Sequence, residues 1–317
     1  MSNRGTIHID KRLTGFSLKY TNGMFIADTV CPVVPVPQDS GKYAIYGRQD
    51  FRQTDDTVAN YADDGEGQPL KYTDGTFTCV KHSRKLPISD DDRQNADEIN
   101  LELDTTEQLT AQADLNREIR VAGILSATTV YGAANEVTLT TTHQWDNASF
   151  DPTTTVADAI QKRISVGKEA IRKGIGKYPT HIIIPAEVAQ VVALDSQIKE
   201  LVKYTMNNLL VNGDLPPTLW NMKVLIPGSI KDSADQGQTF SGSDVWGKNV
   251  IMLYLAPNPR TTKVMTAAMT FESLKRNITR WRDEPRTLDY LRIKDKRVEK
   301  ITGTACGYII RNAIAGA

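Results

Sequence analysis

A proline-rich segment near the amino end limits the folds open to this chain. Pro32, Pro35 and Pro37 lie within six consecutive positions. Proline has no amide hydrogen and a fixed φ, so this segment is excluded from helices and from the middle of a sheet. The pattern predicts that residues 1–40 form an extended arm. Such an arm cannot build a core alone, so it must lie on its own globule or on a neighbouring molecule.

Two segments after the arm, 42–46 and 76–80, are rich in aromatic and β-branched residues and alternate in polarity as strands do. They are predicted to be the two legs of a hairpin. The connection between them contains the acidic, turn-rich residues 55–67 and far exceeds the ~2–5 residues of an ordinary hairpin loop. Connections of that length are usually functional or disordered.

A long amphipathic helix is predicted over residues 104–127. Its apolar positions recur every three or four residues and form one stripe, so we expect it to pack on one side. The stripe consists of Ala111, Leu115, Ile119, Ala122 and Leu125. Upstream, Ser89 and the aspartates at 90–92 are typical of a helix start, because a hydroxyl and carboxylates stabilise its free amides.

A second amphipathic helix leads into an α/β segment. Its apolar positions are Val156, Ile160, Ile164, Gly167 and Ile171, and it is predicted to end near Gly174 and Gly176. Residues 181–185 predict a short buried strand, and Pro185 is well placed to begin a helix that extends to about residue 204. The change in composition places a domain boundary at about residue 177.

More strands are predicted in the carboxyl-terminal half of the chain, at 222–227, 250–255, 307–310 and within the β-patterned region 261–301. In that region Trp281 lies between Arg280 and Arg282, and strand alternation predicts that it points into the core.

Charge is balanced over the whole chain but not along it. The 38 basic residues equal the 38 acidic ones, which argues against a dedicated nucleic-acid or membrane binder. Residues 89–107 nevertheless carry a net charge of −7, and residues 260–300 carry +6. These opposite blocks suit either pairing within one molecule or a head-to-tail contact between copies. The second helix also has a basic face, for which simple solvation is a better interpretation than phosphate binding.

The side chains offer little catalytic or ligand-binding chemistry. None of His8, His82, His143 and His181 has a second histidine or cysteine at metal-binding spacing, and His181 is interpreted as a packed histidine. No phosphate-binding loop, serine nucleophile elbow or calcium loop is found. The three cysteines are far apart and are expected to be reduced packing residues. We expect no cofactor.

No segment predicts a membrane location. The longest apolar run, 250–256, is much shorter than the ~20 residues that cross a bilayer. The amino end lacks a signal-peptide pattern, so synthesis in the cytoplasm is expected.

The order of these parts resembles the major capsid proteins of tailed bacteriophages, which have the HK97-like fold. The residues that carry the resemblance are 28–36 and 40–43 in the arm, 115–118 (Leu-Asn-Arg-Glu) in the long helix, and 307–313 (Gly-Tyr-Ile-Ile-Arg-Asn-Ala) at the end. The resemblance covers nearly the whole chain.

An α+β, HK97-like fold with four regions is implied by this resemblance. They are an N-arm at 1–41, an extended E-loop hairpin at 42–86, a P-domain with a long spine helix at 87–176 and 262–300, and an A-domain with a central sheet flanked by helices at 177–261 and 301–317. Some family members crosslink an E-loop lysine to a neighbour. Lys71 and Lys81 lie on the returning leg, but no crosslinking motif matches, so this point stays open.

The function implied is that of a structural coat protein and not an enzyme. Copies would close into pentamers and hexamers and form an icosahedral head shell around phage DNA, assembled in the host bacterial cytoplasm and retained in the virion. The partners implied are further copies, scaffolding, portal and decoration proteins, and DNA contacted without sequence specificity.

Residues expected at contacts between copies come from the arm, the hairpin and the two charge blocks. They are Pro32, Pro35, Tyr43, Tyr46, Asp55, Tyr61, Glu66, Asp97, Glu102, Arg280, Arg282 and Arg286.

Two alternative functions remain. An encapsulin-type compartment shell would share the fold and enclose cargo enzymes in place of DNA. A cytoplasmic α/β enzyme with a site near 181–230 is disfavoured, because the sequence offers no convergent acid, base, nucleophile or metal ligands.

Overall fold

The computed structural model covers the second part of the arm, both ends of the hairpin and most of the carboxyl-terminal half. It describes residues 8–9, 25–46, 72–95, 101–128, 130–147, 159–202, 215–234, 237–257, 259 and 264–315. The predictions that concern residues 55–67, Lys71, Asp97 and Val156 therefore lie outside the described residues.

Fifteen strands and six α-helices are found within those ranges. The strands are β1 His8–Ile9, β2 Val33–Pro35, β3 Ser40–Tyr46, β4 Tyr72–Thr78, β5 Val80–Ser89, β6 Glu136–Thr138, β7 His181–Ile183, β8 Thr218–Leu219, β9 Met222–Leu225, β10 Ile230–Asp232, β11 Gly242–Asp244, β12 Val250–Leu253, β13 Ala268–Asp283, β14 Leu288–Ile301 and β15 Gly307–Arg311. The helices are α1 Ala27–Val30, α2 Asp90–Asn95, α3 Leu101–Ser126, α4 Ile160–Ile175, α5 Ala186–Leu194 and α6 Ser196–Val202.

Two long antiparallel strands, β13 and β14, form the centre of the first sheet. β5 pairs with the free side of β14, while β1 and β2 pair with different parts of β13. β2 is the proline-rich part of the arm, and its position at the sheet edge agrees with the exclusion of proline from sheet interiors. The amides of Val36 and Thr270 complete this contact by donating to Glu272 O and Pro32 O. Residues 32–36 of the arm therefore lie on their own globule.

The predicted hairpin is confirmed, with small changes at its ends. β3 and β4 pair antiparallel from Ser40 opposite Thr78 to Tyr46 opposite Tyr72. Val80, predicted to be in the returning leg, begins β5 of the first sheet. One residue, Cys79, separates the two pairings, so the hairpin projects directly from the sheet.

The long helix α3 is also confirmed, but its buried side differs from the predicted stripe. Ala122 and Leu125 are buried, whereas Ala111, Leu115 and Ile119 are only half-buried. The other buried residues of α3 are Thr106, Leu109, Thr110, Arg117, Glu118 and Val121. This surface faces the first sheet and α1 and is broader than one stripe.

Polar groups on the buried side of α3 have their own hydrogen-bond partners. The Thr106 hydroxyl donates to Glu102 O and the Thr110 hydroxyl donates to Thr106 O, both at 2.7 Å. Because such groups are satisfied inside the protein, they can be buried without a large penalty. An apolar pattern cannot detect them, which is why the predicted stripe was wrong.

The second sheet has six strands in the order β6, β15, β12, β7, β9, β8. Its central strands are fully buried apolar segments, as the runs of isoleucine and valine predict. Helix α4 packs on β15 with the predicted positions Ile160, Ile164, Gly167 and Ile171, and it ends at Gly176 with a left-handed φ of 70°.

One prediction about this region is wrong, and a second remains untested. The single helix predicted from Pro185 to about 204 is broken at Asp195, whose carboxylate accepts from the Ile198 amide at 3.2 Å and starts α6. The second sheet also includes β6, and α4 packs on it, although both precede residue 177. The proposed domain limits therefore stay a prediction.

The predicted state of the cysteines is confirmed. Cys31, Cys79 and Cys306 are buried and form no disulfide. Burial raises the pKa of Cys31 and of Cys306 to about 12. No helix in the described part of the chain is both long and apolar enough to cross a bilayer.

Two helical glycines provide a matched test of this packing. A Cβ at Gly167 would lie 2.7 Å from Tyr308 Cδ1, whereas a Cβ at Gly123 on α3 meets nothing within 4 Å. Gly167→Ala should lower the free energy of unfolding by ~1–3 kcal/mol through overpacking. Gly123→Ala should raise it by ~0.5–1 kcal/mol. Urea denaturation followed by circular dichroism measures both, and equal effects would contradict the packing of α4 on β15.

Candidate assembly surfaces

The arm is anchored by a buried carboxylate on α3. The amides of Ile26 and Ala27 donate to Glu118 Oε1 and Oε2 at 3.1 and 2.8 Å. The indole of Trp246, in the loop before β12 of the second sheet, donates to Glu118 Oε1 at 2.7 Å. Burial raises the pKa of Glu118, although these three donors oppose that shift. One side chain thus joins the arm, the long helix and the loop before β12.

The neighbouring Arg117 makes a second set of contacts with the arm. Its guanidinium pairs with Asp28 and donates to Cys31 O at 3.2 Å and to Thr270 Oγ1 at 3.3 Å. Thr270 in turn donates to Cys31 O at 3.0 Å. Residues 26–36 are therefore held by side chains of α3 and by backbone pairing with β13.

The base of the hairpin packs on the first sheet through aromatic rings. Phe77 stacks on Phe271 with ring centroids 4.4 Å apart, and Tyr43 lies 5.4 Å from the same ring. Gly75 and Gly41 lie directly under the Tyr43 and Phe77 rings, where a larger residue would collide with them. The hairpin is thus fixed at its base, and the described part of it ends at the Tyr46–Tyr72 pair.

The two opposite charge blocks meet within one molecule. Arg282 binds Asp90 with two hydrogen bonds of 2.6 and 2.8 Å. Arg280 lies 2.8 Å from Glu102 and 2.9 Å from Asp289. Burial would raise the pKa of Asp289, but Arg93 and Arg280 together lower it below its ordinary value. For these residues the structure shows intramolecular pairing.

The described residues contain no arrangement that suggests catalysis. Within those ranges, no three His, Cys, Asp or Glu side chains come together in a group that could hold a metal ion. His181 is half-buried with Nδ1 2.8 Å from Thr180 Oγ1, and burial lowers its pKa. This agrees with the interpretation of His181 as a packed residue.

Phage capsid proteins are the curated relatives of this chain. The major capsid protein of Burkholderia phage BcepMu is 26% identical over 307 residues, which are 95% of this chain and 95% of that protein. The major capsid protein of Pseudomonas phage JBD67 is 32% identical over 158 residues, 49% of this chain and 51% of that protein. No family model matches the chain.

Solved structures with the same architecture come from phages and related particles. A phage-related protein from Bordetella bronchiseptica has a TM-score of 0.73 at 20% identity, with 99% of this chain and 100% of that chain covered. The mature capsid of bacteriophage PhiM1 has a TM-score of 0.57 at 10% identity, with 92% and 87% covered. This chain has the HK97-like fold of tailed-phage major capsid proteins. The structural coat-protein role predicted from the sequence is confirmed with it.

A third solved structure with a similar fold comes from a virus-like particle. The virus-like particle from Pyrococcus furiosus has a TM-score of 0.53 at 10% identity, with 95% of this coat protein and 98% of that chain covered.

The contact residues predicted for this coat protein fall into three groups. Asp55, Tyr61, Glu66 and Asp97 lie outside the described residues. Tyr43 is only 8% exposed, and Glu102, Arg280 and Arg282 are engaged in ion pairs of their own chain. Pro35 and Arg286 are exposed, Pro32 is half-buried, and Tyr46 lies at the end of β3. Contact between copies stays a prediction for all of them.

Reasoning from the sequence did not identify Arg117 and Glu118 as the side chains that hold the arm of this coat protein. Arg117 precedes the buried Val121 and Leu125 by one and two helical turns, so it lies in register with an apolar face. A charged residue at such a position is rarely buried unless it is paired. The position of Arg117 in line with Val121 and Leu125 was therefore the feature of the sequence that could have indicated a buried, paired charge.

The anchor can be tested by a substitution that preserves size. Glu118→Gln places an amide group opposite one of the backbone donors, so we expect the free energy of unfolding to fall by ~1–3 kcal/mol. Limited proteolysis should also cut sooner within residues 25–31. Glu107→Gln, on an exposed position of the same helix, is the control. If both variants unfold and are cut alike, Glu118 does not hold the arm.

Proposed function

We propose that this coat protein closes into pentamers and hexamers that together form an icosahedral shell around phage DNA. The observation that carries the proposal is the match to the BcepMu major capsid protein over 95% of both chains. Part of the arm, both legs of the hairpin, the long helix and the second sheet are present in the described residues, and these parts support the proposal.

A physical argument supports assembly through extended segments. The hairpin projects from the first sheet and has only two strands in the described range. A two-stranded hairpin is marginally stable by itself in water. Contact with a neighbouring copy would bury it, and several such contacts per subunit add up to a durable particle.

In this proposal the chain is divided as the resemblance implies, into an N-arm (1–41), an E-loop (42–86), a P-domain (87–176 and 262–300) and an A-domain (177–261 and 301–317). Its partners are further copies, a scaffolding protein, a portal, decoration proteins and DNA. Assembly takes place in the host bacterial cytoplasm, and the product is the capsid of the virion.

The second candidate is an encapsulin-type compartment shell, favoured by the similarity to the virus-like particle from Pyrococcus furiosus. Both candidates predict closed particles by negative-stain electron microscopy of the purified chain. They differ in content: particles assembled in phage-infected cells should protect DNA from nuclease, whereas a compartment shell should retain protein cargo. A chain that stays monomeric at high concentration with its scaffold supplied would exclude both.

Deletion of residues 55–69 should leave a folded chain that forms no shells. The deleted residues lie beyond the aromatic base of the hairpin, so the thermal unfolding midpoint should stay close to that of the parent. Negative-stain microscopy measures the particles. A variant in which the same residues are replaced by an uncharged Gly/Ser segment of equal length separates the role of length from that of chemistry. If the deletion variant formed normal particles, residues 55–69 would have no role in assembly.

Arg286 provides a test of contacts between copies that does not disturb the fold. It is exposed in the turn between β13 and β14. Arg286→Glu should change the free energy of unfolding by less than ~0.5 kcal/mol, as surface substitutions usually do. Its sedimentation should nevertheless shift toward unassembled subunits. Arg282→Glu is the contrasting variant, because it breaks the pair with Asp90 and should lower stability as well. Unchanged assembly of Arg286→Glu would exclude a contact at that position.

A further inference from the structure

The outer strand of the first sheet is open on one side. β5 pairs with β14 on its inner side and is the last strand in the order of the sheet. No strand of the described residues pairs with its other side. Alternate amides and carbonyls of such an edge point away from the sheet and are available to another extended chain. Pro87 has no amide hydrogen and ends this run of donors, so we call residues 80–86 the open edge.

The open edge is long for an unpaired strand. At ~3.3 Å per residue, it extends for ~20 Å. The other edge strands of the two large sheets, β1, β2, β6 and β8, have only two or three residues each. Proteins protect long edges from unwanted pairing with charged side chains and proline. Lys81, Arg84 and Lys85 have this effect against another basic strand, but they attract a strand that carries carboxylates.

On one side of the open edge, the side chains face α3. Leu86 packs against the apolar cluster that contains Leu109 of α3, and Arg84 donates to Gln112 Oε1 of the same helix at 3.0 Å. Gln112 is neutral, so this contact leaves the charge of Arg84 uncompensated. A groove of about 400 Å³ lies here between β5, β14 and α3. It has room for the side chains of an added strand that point toward α3.

Lys81 and Lys85 lie on the other side of the sheet, because neighbouring side chains of a strand alternate. Both are exposed. Lys85 Nζ lies 4.6 Å from the centre of the Tyr290 ring, and Trp281 stacks on that ring with centroids 5.2 Å apart. Trp281 is half-buried in this surface cluster, so the prediction that it points into the core is wrong.

The cations of the open edge have no carboxylate partner in the described part of the chain. None of the ion pairs found there includes Lys81, Arg84 or Lys85. By contrast, Lys296, which lies opposite Lys81 on β14, binds Asp39 at 2.6 Å. A strand added to the open edge would therefore meet an uncompensated cation on each of its two sides.

A second copy of this chain has no matching strand among the described residues. Two β5 edges would bring like charges together, which destabilises a sheet. β3 and β4 are long enough to pair, but Lys42 of β3 binds Asp74 of β4 at 3.2 Å, and the hairpin legs carry no net charge. The charge of the open edge therefore favours a strand from a different protein.

We propose that the open edge binds an extended, acidic segment of a different protein, which joins the first sheet as an additional strand. Backbone hydrogen bonds along residues 80–86 supply the affinity, and carboxylates near Lys81, Arg84 and Lys85 supply the selectivity. The inference goes beyond the proposed function, because an unassembled subunit exposes the same edge. Salt weakens the contact, since its charges are partly exposed.

The first experiment uses a synthetic strand in place of the natural partner. A fluorescein-labelled peptide of four Glu-Thr repeats is titrated into the unassembled full-length chain at low ionic strength, and anisotropy reports binding. Lys81→Glu/Lys85→Glu should weaken binding about tenfold or more, because two attractive pairs become repulsive. Lys162→Glu/Lys199→Glu makes the same charge change at exposed positions of α4 and α6 and should bind as the parent does. Melting curves confirm that both variants are folded.

The second experiment distinguishes strand addition from simple attraction between charges. Hydrogen exchange followed by mass spectrometry should show slower exchange of the amides within residues 80–86 when the Glu-Thr peptide is added. The same peptide with every amide N-methylated has the same charge but no backbone donor, so it should neither bind as tightly nor slow the exchange. A peptide of four Gln-Thr repeats keeps the donors, lacks the charge and should bind about tenfold more weakly.

Each contrary result overturns a different part of the inference. Equal binding by the N-methylated peptide, or unchanged exchange at residues 80–86, would overturn strand addition. Equal binding by the Gln-Thr peptide would overturn the selection of acidic segments. Slower exchange at residues 80–86 when the chain is concentrated without peptide would overturn the choice of partner by assigning the edge to a second copy.

The same variants separate this inference from the proposed function. Lys81→Glu/Lys85→Glu that forms normal particles and loses peptide binding would support the open edge and leave the shell intact. Peptide binding by a parent chain that never forms particles would support the open edge and overturn the shell. Normal particles from a parent chain that does not bind the Glu-Thr peptide would overturn the open edge alone.

Discussion

Two adjacent charged residues of the long helix hold the separate parts of this molecule together. Arg117 reaches the arm and β13, and Glu118 reaches the arm and Trp246 beside the second sheet. Both side chains are buried, where no bulk water can replace a lost hydrogen-bond partner. The geometry of these contacts is therefore strongly specified. Without these contacts the arm would be attached by its short pairing with β13 and by the burial of Ile26, Ala27, Val30 and Cys31 in the core.

The distribution of charge explains why the chain is neutral overall but strongly segregated. The acidic block around Asp90 and Glu102 meets arginines at one end of the first sheet within the same molecule. That pairing stabilises the subunit.

Much of the architecture was predictable from local patterns. The arm, the hairpin legs, helix α4 with its Gly176 end, and the central strands β7 and β12 follow from proline positions, alternation and apolar runs, since these reflect backbone preferences and burial within one element. The buried side of α3 was not predictable in that way. Arg117 and Glu118 are buried because distant segments supply their hydrogen-bond partners, which lie 86 to 153 residues away in the chain.

The sequence alone determined that this chain has an extended arm, a hairpin with a long connection and a long amphipathic helix, because proline geometry, periodicity and the order of parts are readable without contacts. The tertiary structure decided which charged side chains form ion pairs within the molecule. Arg280 and Arg282 are predicted from the sequence to contact a neighbouring copy. The structure shows Arg280 paired with Glu102 and Arg282 paired with Asp90 within the molecule, and only spatial proximity decides whether a charge has such a counter-ion.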